Sequence, residues 1–412
     1  YIVGDNGASA EGGLKGSSNY MGDLQGLVSE VARFGDAPQT LSGENTYAHY
    51  NSGWAWGTNT PFQWTKQVAS HLGGTRNPMV LAWPERIRDR GGLREQFGHV
   101  NDIVPTILEV TGIAAPASVD GVAQRPMDGV SLAYSFDDAK AAERHATQYF
   151  EIFGNRSIYH EGWMASAFRG RAPWQVNSAA RDEDFDADRW ELYDLRADFS
   201  QGTDLAAREP ARLRELQQLF EQQADANNVL LHNPTPENMR FPSLAGDRTR
   251  FTFHAGTIAV AEKEAPNTKT RSHAIEARLR VPDGGASGVL ATLGGRSAGW
   301  SLYLDQGGVP VYRLRIFDAE EITLRGTTAL APGEHVLRYE FTTTGAGPVP
   351  GGKGRLLVDG TEVARGEVTR TATFFSIDET FDIGLDTGSS PADYRAPYPF
   401  TGSIGQVTIE LL

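Results

Sequence analysis

The sequence predicts two fold classes in one chain, an α/β region followed by an all-β sandwich. In residues 1–232 a short apolar strand runs into a tight turn and amphipathic helices follow, which is typical of α/β domains. A proline-rich stretch over 233–249 predicts a linker. From 250 to 412, short segments of alternating polarity are separated by Gly-Gly and Asp-Gly turns, which predicts an antiparallel β-sandwich.

The composition is that of a folded protein and excludes several classes of partner and site. The 412 residues are 40% hydrophobic, which is ordinary for a protein with a core. They carry 38 basic and 52 acidic side chains, a net charge of −14, which argues against nucleic acid or an anionic membrane as the main partner. No apolar run is long enough to span a bilayer. The absence of cysteine excludes disulfides, thiolate metal sites and a cysteine nucleophile from these residues.

The first predicted element is a buried strand over residues 1–3 that ends in a polar turn. Gly4 leads into Asp5 and Asn6, which stand side by side before another glycine. A carboxylate and an amide oxygen at the carboxyl end of a strand suit Ca²⁺ or Mg²⁺ better than zinc or copper, although an ordinary turn has the same residues. A buried strand of the parallel type needs neighbours on both sides. We therefore expect the chain to be the C-terminal part of a longer polypeptide, and the sequence assigns it no compartment.

Two nearby stretches offer candidate substrate contacts. Trp54 and Trp56 lie among small residues, where they can line a pocket for a flat or sugar-like substrate or simply pack a loop. Lys66 and His71 precede a Gly-Gly turn, where they can supply positive charge to an anion held over a metal. A solvated lysine is the alternative for Lys66.

Three regular elements complete the predicted first region. Residues 79–84 predict a short buried strand that a proline ends. Residues 99–113 predict a helix capped by Asp102 and ended by Gly112, with a structural role. A longer amphipathic helix is predicted from Pro210 to Ala226.

Seven segments of the first 230 residues follow one another in a recognisable order. They are the strand before Asp5-Asn6-Gly7, Lys66 before Gly73-Gly74-Thr75-Arg76-Asn77-Pro78, the helix over 99–113, Met127-Asp128-Gly129-Val130-Ser131-Leu132, Trp190-Glu191-Leu192-Tyr193-Asp194-Leu195-Arg196-Ala197-Asp198, Asp204-Leu205-Ala206 and the helix over 210–226. In this order the segments resemble the sulfatase family, most closely its large bacterial arylsulfatases. The resemblance implies an α/β sandwich of the alkaline-phosphatase type with a mostly parallel central sheet.

The resemblance also implies roles for the candidate residues. Asp5 and Asn6 match the family's second pair of ligands to a catalytic cation, usually Ca²⁺, and Lys66 matches the lysine that holds a sulfate oxygen. His71 is expected as its catalytic neighbour, although the spacing from Lys66 to the Gly-Gly pair is one residue longer than the family's. A cation and a lysine each stabilise the transition state of sulfate ester cleavage by on the order of a few kcal/mol. A small sulfate ester or a sulfated glycan is the expected substrate, contacted by Lys66, Trp54 and Trp56.

The nucleophile of the family is missing from this sequence. Sulfatases use a formylglycine made from Cys or Ser in a Cys/Ser-x-Pro-x-Arg motif, and these 412 residues contain no Cys and no Ser-x-Pro-x-Arg. We expect that motif, with the first metal-binding Asp-Asp pair, in an upstream part of the same domain that this chain needs. The chain alone is therefore expected to be an inactive fragment of a sulfuric ester hydrolase.

The second half resembles laminin-G and concanavalin-like jelly rolls, which bind sugars or pack against a partner domain. Because Trp300 and Tyr303 are three residues apart on one predicted strand, they are expected on opposite faces, with at most one on a binding face. Two alternative functions stay open, a phosphodiesterase or phosphonate hydrolase of the same superfamily and a non-catalytic carbohydrate-binding protein. The predicted strands are 251–253, 274–281, 288–293, 300–304, 311–316, 336–341, 354–360, 381–384 and 404–409.

Overall fold

The computed structural model of the chain describes residues 1–27, 43, 46–175, 185–229, 247–317, 320–345, 347 and 349–412. The chain divides into two compact units, the first formed by 1–15 and 50–240 and the second by 16–49 and 241–412. Among the described residues, no helix is both long enough and apolar enough to cross a membrane.

The first 229 residues contain five α-helices and eight strands in their described part, with short 3₁₀ turns over 100–102, 133–135 and 185–187. In chain order the helices and strands are β1 (Ile2–Val3), α1 (Tyr20–Asp23), α2 (Ser52–Asn59), α3 (Leu72–Thr75), β2 (Met79–Val80), α4 (Ile103–Thr111), β3 (Ser118–Val119), β4 (Val122–Ala123), β5 (Thr147–Ile152), β6 (Asn155–His160), β7 (Trp163–Ala167), β8 (Trp190–Asp194) and α5 (Pro210–Ala226).

The described residues from 247 onward are almost entirely strands and turns. In chain order the strands are β9 (Arg250–Phe253), β10 (Val260–Ala261), β11 (His273–Val281), β12 (Gly288–Gly294), β13 (Ala298–Leu304), β14 (Pro310–Ile316), β15 (Glu320–Arg325), β16 (Gly333–Thr343), β17 (Gly352–Val358), β18 (Thr361–Val368), β19 (Thr380–Ile383) and β20 (Ser403–Leu411). Every strand predicted from the sequence in this half is confirmed.

A four-stranded antiparallel sheet and the helix α5 form the described core of the first unit. The strands pair in the order β5-β6-β7-β8. Helix α5 begins with Pro210 at its first turn, where a missing N–H costs nothing. Its residues Leu216 and Phe220, four apart and thus on one face, pack with Ile158 and Leu192 of the sheet. The predicted helix from 210 to 226 is therefore confirmed.

The first strand differs from its prediction. Strands β1 and β2 form an antiparallel pair of two residues each, and all four residues are exposed. The prediction of buried strands at 1–3 and 79–84 is wrong, because the strands comprise only 2–3 and 79–80 and their residues are exposed. Mixed α and β structure is confirmed for the unit, but its described strand pairs are all antiparallel, so they do not include the implied parallel central sheet.

The second unit is an antiparallel β-sandwich, as predicted. Its two six-stranded sheets have the orders β10-β19-β12-β13-β14-β15 and β18-β17-β16-β11-β20-β9. Along β11 the odd-numbered residues Ile275, Leu279 and Val281 are buried while Arg278 and Arg280 are exposed, so the period of two directs one face into the core.

Both faces of the β12-β13-β14 sheet region are buried. Trp300 lies in the core between the sheets, and Tyr303 lies in a separate cluster with Ala392, Tyr394 and Tyr398 on the opposite face. The predicted opposite orientation of Trp300 and Tyr303 is therefore confirmed. Neither ring is exposed, because the segment that carries Tyr394 and Tyr398 covers Tyr303.

The division into units departs from the predicted domain of 1–232 at residues 16–49. This segment belongs to the second unit, because Met21 and Leu27 pack in the sandwich core. The Gln25 side chain also donates a hydrogen bond of 3.0 Å to the carbonyl oxygen of Phe374. The predicted linker over 233–249 lies outside the described residues except for 247–249.

Candidate functional site

The Asp5-Asn6 turn lies directly against the Gly-Gly turn that follows His71. The N–H of Gly7 donates a 3.0 Å hydrogen bond to the carbonyl oxygen of Gly74. A Cβ added at Gly7 would overlap the carbonyl oxygen of Gly73, so only glycine permits this approach. The close packing of two glycine turns fixes the position of Asp5 and Asn6 relative to the loop that carries Lys66.

The ligand atoms of Asp5 and Asn6 fit a hard cation. Asp5 is exposed and Asn6 is half-buried, and neither side chain has a hydrogen-bond partner among the described residues. A free carboxylate and amide oxygen are ligands that Ca²⁺ prefers, but Ca²⁺ takes about six to eight oxygens. The described residues contain no group of three or more His, Asp or Glu side chains that could hold a metal ion. This pair can therefore supply only part of a coordination shell.

The Lys66 loop is joined to the same turn by hydrogen bonds. The N–H of Lys66 donates to the carbonyl oxygen of Ala8 at 3.1 Å. The Asn59 side chain accepts from the N–H of Ala8 at 3.0 Å and donates to the carbonyl oxygen of Trp64 at 3.1 Å. The structure thus brings Asp5, Asn6 and Lys66 onto one hydrogen-bonded pair of loops.

The side chain of Lys66 is paired with Glu11, for which the sequence predicts no role in the site. The Lys66 Nζ atom lies 3.3 Å from Oε2 of Glu11. Burial alone would raise the pKa of Glu11, but hydrogen bonds from Ser9 and Gln67 and the charge of Lys66 outweigh burial and lower it. Glu11 is therefore a carboxylate that stays ionised beside the lysine. Its one signal in the sequence is an acidic residue in the glycine-rich loop just after Asp5-Asn6.

Two non-glycine residues beside Lys66 adopt the left-handed backbone conformation. Trp64 has φ of 68° and Gln67 has φ of 77°. Such conformations are unfavourable for residues with a side chain and persist where the surrounding contacts enforce them. Here the carbonyl oxygen of Trp64 accepts from Asn59, and the Gln67 side chain donates to Glu11. Both backbone distortions serve to place the loop that carries Lys66.

His71 is buried and engaged on both ring nitrogens. Its Nδ1 atom lies 2.9 Å from the hydroxyl of Ser70, and its Nε2 atom lies 3.3 Å from Oε2 of Glu191. The hydrogen bond with His71 is the main cause that lowers the pKa of Glu191. The ring also contacts the edges of Trp64 and Phe168. In this position His71 supports the loop from within and is enclosed by protein.

Trp54 and Trp56 lie on helix α2, which Asn51 caps through its side chain. Trp54 is 69% exposed, whereas Trp56 is 38% exposed and contacts the edges of Trp64 and Trp174. Trp64 stacks on Phe168 with ring centroids 4.1 Å apart. An aromatic cluster of Trp56, Trp64, Phe168 and Trp174 therefore stands beside the Lys66 loop. Of the two tryptophans predicted to contact the substrate, Trp54 is the more exposed.

A second polar centre forms around Asp102 and fulfils the predicted structural role of the helix. The buried carboxylate accepts hydrogen bonds from the N–H groups of His99 and Val130 at 2.8 and 2.7 Å and from Nδ1 of His145 at 2.7 Å. Burial opposes both charges, but these bonds outweigh it, lowering the pKa of Asp102 and raising that of His145. Gly112 ends helix α4 in the left-handed conformation, as predicted. The predicted cap by Asp102 is not made to this helix, because the carboxylate accepts from the N–H of His99 at the start of the 3₁₀ turn over 100–102 and makes no capping hydrogen bond to α4.

Comparison with known proteins shows a family similarity for the first segment. Residues 1–113 match the family described as "Sulfatase", and this segment contains Asp5, Asn6, Lys66 and His71. An uncharacterized sulfatase of the yeast Schizosaccharomyces pombe is 26% identical over 191 residues, which are 45% of this chain. The match spans 31% of that relative's length. The resemblance to sulfatases predicted from the sequence is confirmed for this segment.

Solved structures match at low similarity. A Bacteroides thetaiotaomicron structure from a study of glycosaminoglycan metabolism is 15% identical with a TM-score of 0.30, covering 47% of this chain and 42% of its own. A carbohydrate-binding module of a Ruminococcus gnavus sialidase is 15% identical with a TM-score of 0.30, covering 39% and 93%. Mouse laminin α1 domains are 16% identical with a TM-score of 0.25, covering 40% and 39%. The sandwich is assigned from its own strand pairing and not from these scores.

Proposed function

We propose that this chain supplies part of the active site of a metal-dependent sulfuric ester hydrolase of the arylsulfatase type. The observation that carries the proposal is the joining of two family motifs by hydrogen bonds. The turn with Asp5 and Asn6 and the loop with Lys66 are bonded through the N–H groups of Gly7 and Lys66. The match of residues 1–113 to the sulfatase family supports the same assignment.

Each residue has a proposed task. Asp5 and Asn6 hold a divalent cation, Ca²⁺ or Mg²⁺, which when bound stabilises the negative charge that develops on the sulfuryl oxygens. Lys66 donates from its ammonium group to a sulfate oxygen and offsets charge on the leaving side. Because His71 is enclosed between Ser70 and Glu191, we propose that it positions the Lys66 loop and does not touch the substrate.

The exposed rings of Trp54 and Trp56 are proposed to contact the organic part of the ester. Trp56 is held by Trp64, two residues before Lys66, so a ring stacked there lies beside the lysine loop. Aromatic faces accept both aryl groups and sugar rings, so a small aryl sulfate and a sulfated glycan are both substrates of this kind.

The residues of this chain do not fit the family's formylglycine nucleophile. The sequence has no cysteine and no Ser-x-Pro-x-Arg from which it could form. We propose that polypeptide outside these 412 residues provides the nucleophile and the remaining metal ligands. No step of the reaction is assigned to the residues of this chain beyond cation binding, sulfate binding and substrate contact.

Two experiments test the proposal. Calorimetric titration of this chain with Ca²⁺ should show weak binding that Asp5→Ala abolishes, because the carboxylate is the one charged ligand of the pair. Asp283→Ala, which removes an exposed carboxylate of the second unit, is the matched control and should leave binding unchanged. Equal binding by the wild type and Asp5→Ala would refute the assigned metal site.

The second experiment measures hydrolysis of an aryl sulfate with Ca²⁺ present, by this chain alone and joined to an upstream segment that carries a Cys-x-Pro-x-Arg motif. Activity only in the joined form, lost in Asp5→Ala and in Lys66→Ala, is the expected result. Activity of this chain alone would show that it holds its own nucleophile. Hydrolysis of a phosphate diester but not of a sulfate ester by the joined form would assign the chain to phosphoester chemistry.

A further inference from the structure

Glu11 is the closest charged neighbour that the structure shows for the Lys66 ammonium group. Its Oε2 atom lies 3.3 Å from Nζ of Lys66. The Glu11 side chain is 12% exposed, whereas the Lys66 side chain is 38% exposed. The acid is thus largely enclosed by protein and the lysine reaches past it into solvent.

Glu11 is held in place by groups other than the lysine. The hydroxyl of Ser9 donates to Oε2 at 2.8 Å, and the side-chain amide of Gln67 donates to Oε1. Gln67 makes this bond from a left-handed backbone conformation, φ 77°, directly after Lys66 in the chain. A carboxylate fixed by two independent donors is a rigid anchor, whereas an exposed ion pair contributes little order.

The segment that carries Glu11 also holds the main chain of Lys66. Its N–H donates to the carbonyl oxygen of Ala8, three residues before Glu11. Both ends of the lysine are therefore attached to the segment that follows Asp5 and Asn6. A flexible four-carbon side chain attached at its base and its tip occupies few of its rotamers.

We propose that Glu11 is a positioning residue that holds the Lys66 ammonium group in place for an anionic substrate. This inference rests on the proposed function of Lys66 as the sulfate contact. An ammonium group has three N–H donors, so one bond to Glu11 leaves two for a sulfate oxygen. The preorganised lysine then binds the anion without first losing side-chain freedom.

The test measures how fast acetic anhydride acetylates Lys66 in this chain, with modified peptides quantified by mass spectrometry. Lys15, an exposed lysine of the same unit, is the internal reference. In the wild type Lys66 should react more slowly than Lys15, because its amine is hydrogen-bonded and fixed. In Glu11→Gln the Lys66 rate should rise about threefold or more relative to Lys15, because the charge-assisted bond is lost.

Three further variants separate positioning from loss of structure. Glu11→Asp keeps the charge and should restore part of the protection, which a merely structural role would not do. Ser9→Ala removes one donor to Glu11 and should give an intermediate rate, and it tests the proposal if Glu11→Gln does not fold. Glu85→Gln neutralises an exposed acid of the same unit and should change nothing. Equal Lys66 rates in the wild type, Ser9→Ala and a folded Glu11→Gln would overturn the proposal.

Inorganic sulfate distinguishes this proposal from the function on which it rests. Sodium sulfate should protect Lys66 of the wild type from acetylation, relative to sodium chloride at equal ionic strength. If Glu11 slows the acetylation of Lys66 but sulfate does not, the positioning contact stands and the sulfate-binding role of Lys66 is refuted. Protection by sulfate that is unchanged in Glu11→Gln would keep the sulfate-binding role and refute Glu11 as the positioning residue.

Discussion

Lowering the pH is expected to destabilise the β-sandwich through His273 at the start of strand β11. The ring is buried beside Tyr339 and Phe341, with centroid distances of 5.9 and 5.4 Å. Its Nδ1 atom lies 3.0 Å from the carbonyl oxygen of Arg271, and its Nε2 atom has no hydrogen-bond partner among the described residues. Burial lowers the pKa of His273 from 6.5 to about 4, so the folded state holds the neutral ring.

The magnitude follows from the difference between those pKa values. Below pH 6.5 the unfolded state binds a proton that the folded state binds only near pH 4, so folding loses stability as the pH falls between these values. The stability that the neutral His273 ring contributes is fully present above pH 6.5, the pKa of the ring in the unfolded state. A pKa difference of this size corresponds to about 3 kcal/mol lost by the time the folded ring is protonated.

Hydrogen exchange of the peptides from β11 and β16 measures this loss, since the protection of a core strand reports the free energy of opening. Protection, corrected for intrinsic exchange rates, should fall between about pH 6.5 and pH 4 in the wild type more steeply than in His273→Leu. His254→Leu, which removes an exposed ring of the same unit, is the control and should retain the wild-type slope. Identical slopes in the wild type and His273→Leu would refute the reasoning.

Three further predictions concern the first unit. Gly7→Ala should lower its melting temperature and abolish Ca²⁺ binding in calorimetry, because the methyl group overlaps Gly73; unchanged binding would contradict the packed turns. Asp102→Asn should cost about 3–5 kcal/mol in urea unfolding by removing the buried partner of His145. The loss should be greatest between pH 3.8 and 6.5, where both charged groups stabilise the folded state. The lowered pKa of Asp102 contributes stability above pH 3.8, and the raised pKa of His145 contributes stability below pH 6.5. Phe220→Ala should cost about 3–5 kcal/mol in the same assay by opening a cavity under α5, and a loss below about 1 kcal/mol would contradict its burial.

The strands of the sandwich could be predicted because the burial of one face produces an alternating pattern within each short segment of the sequence. Residues 274–281 alternate between core and solvent, and the pleat turns that alternation into a period of two. Strand β15 was missed because it lies at the edge of its sheet, where four of its six residues, Glu320, Glu321, Thr323 and Arg325, are polar or charged. Edge strands with many charged residues are protected from pairing with another chain, and the same composition hides them from pattern analysis.

The candidate site was predictable only where the chemistry is local. Asp5 and Asn6 are adjacent in the chain, so the sequence alone indicates their side-chain oxygens as candidate ligands of one cation. Glu11 and Lys66 are 55 residues apart, and no local pattern pairs them. His71 has the residue type of a catalytic group, but its environment is set by Phe168 and Glu191, which lie about a hundred residues further on. Residue type can indicate a role, but burial and partners decide whether the side chain can perform it.

The covered face of the sandwich bears on whether this unit can also bind a sugar. Tyr394 packs on Tyr303 with ring centroids 5.1 Å apart, and its hydroxyl donates a 2.8 Å hydrogen bond to Asp386. Burial raises the pKa of that carboxyl to about 6, even though the bond from Tyr394 lowers it. A sugar could stack on Tyr303 only after Tyr394 had left both contacts, exposing a buried acid to water. Because aromatic stacking on one ring contributes only about 1 kcal/mol, such an exchange is unfavourable, and the geometry favours a packing role for this face.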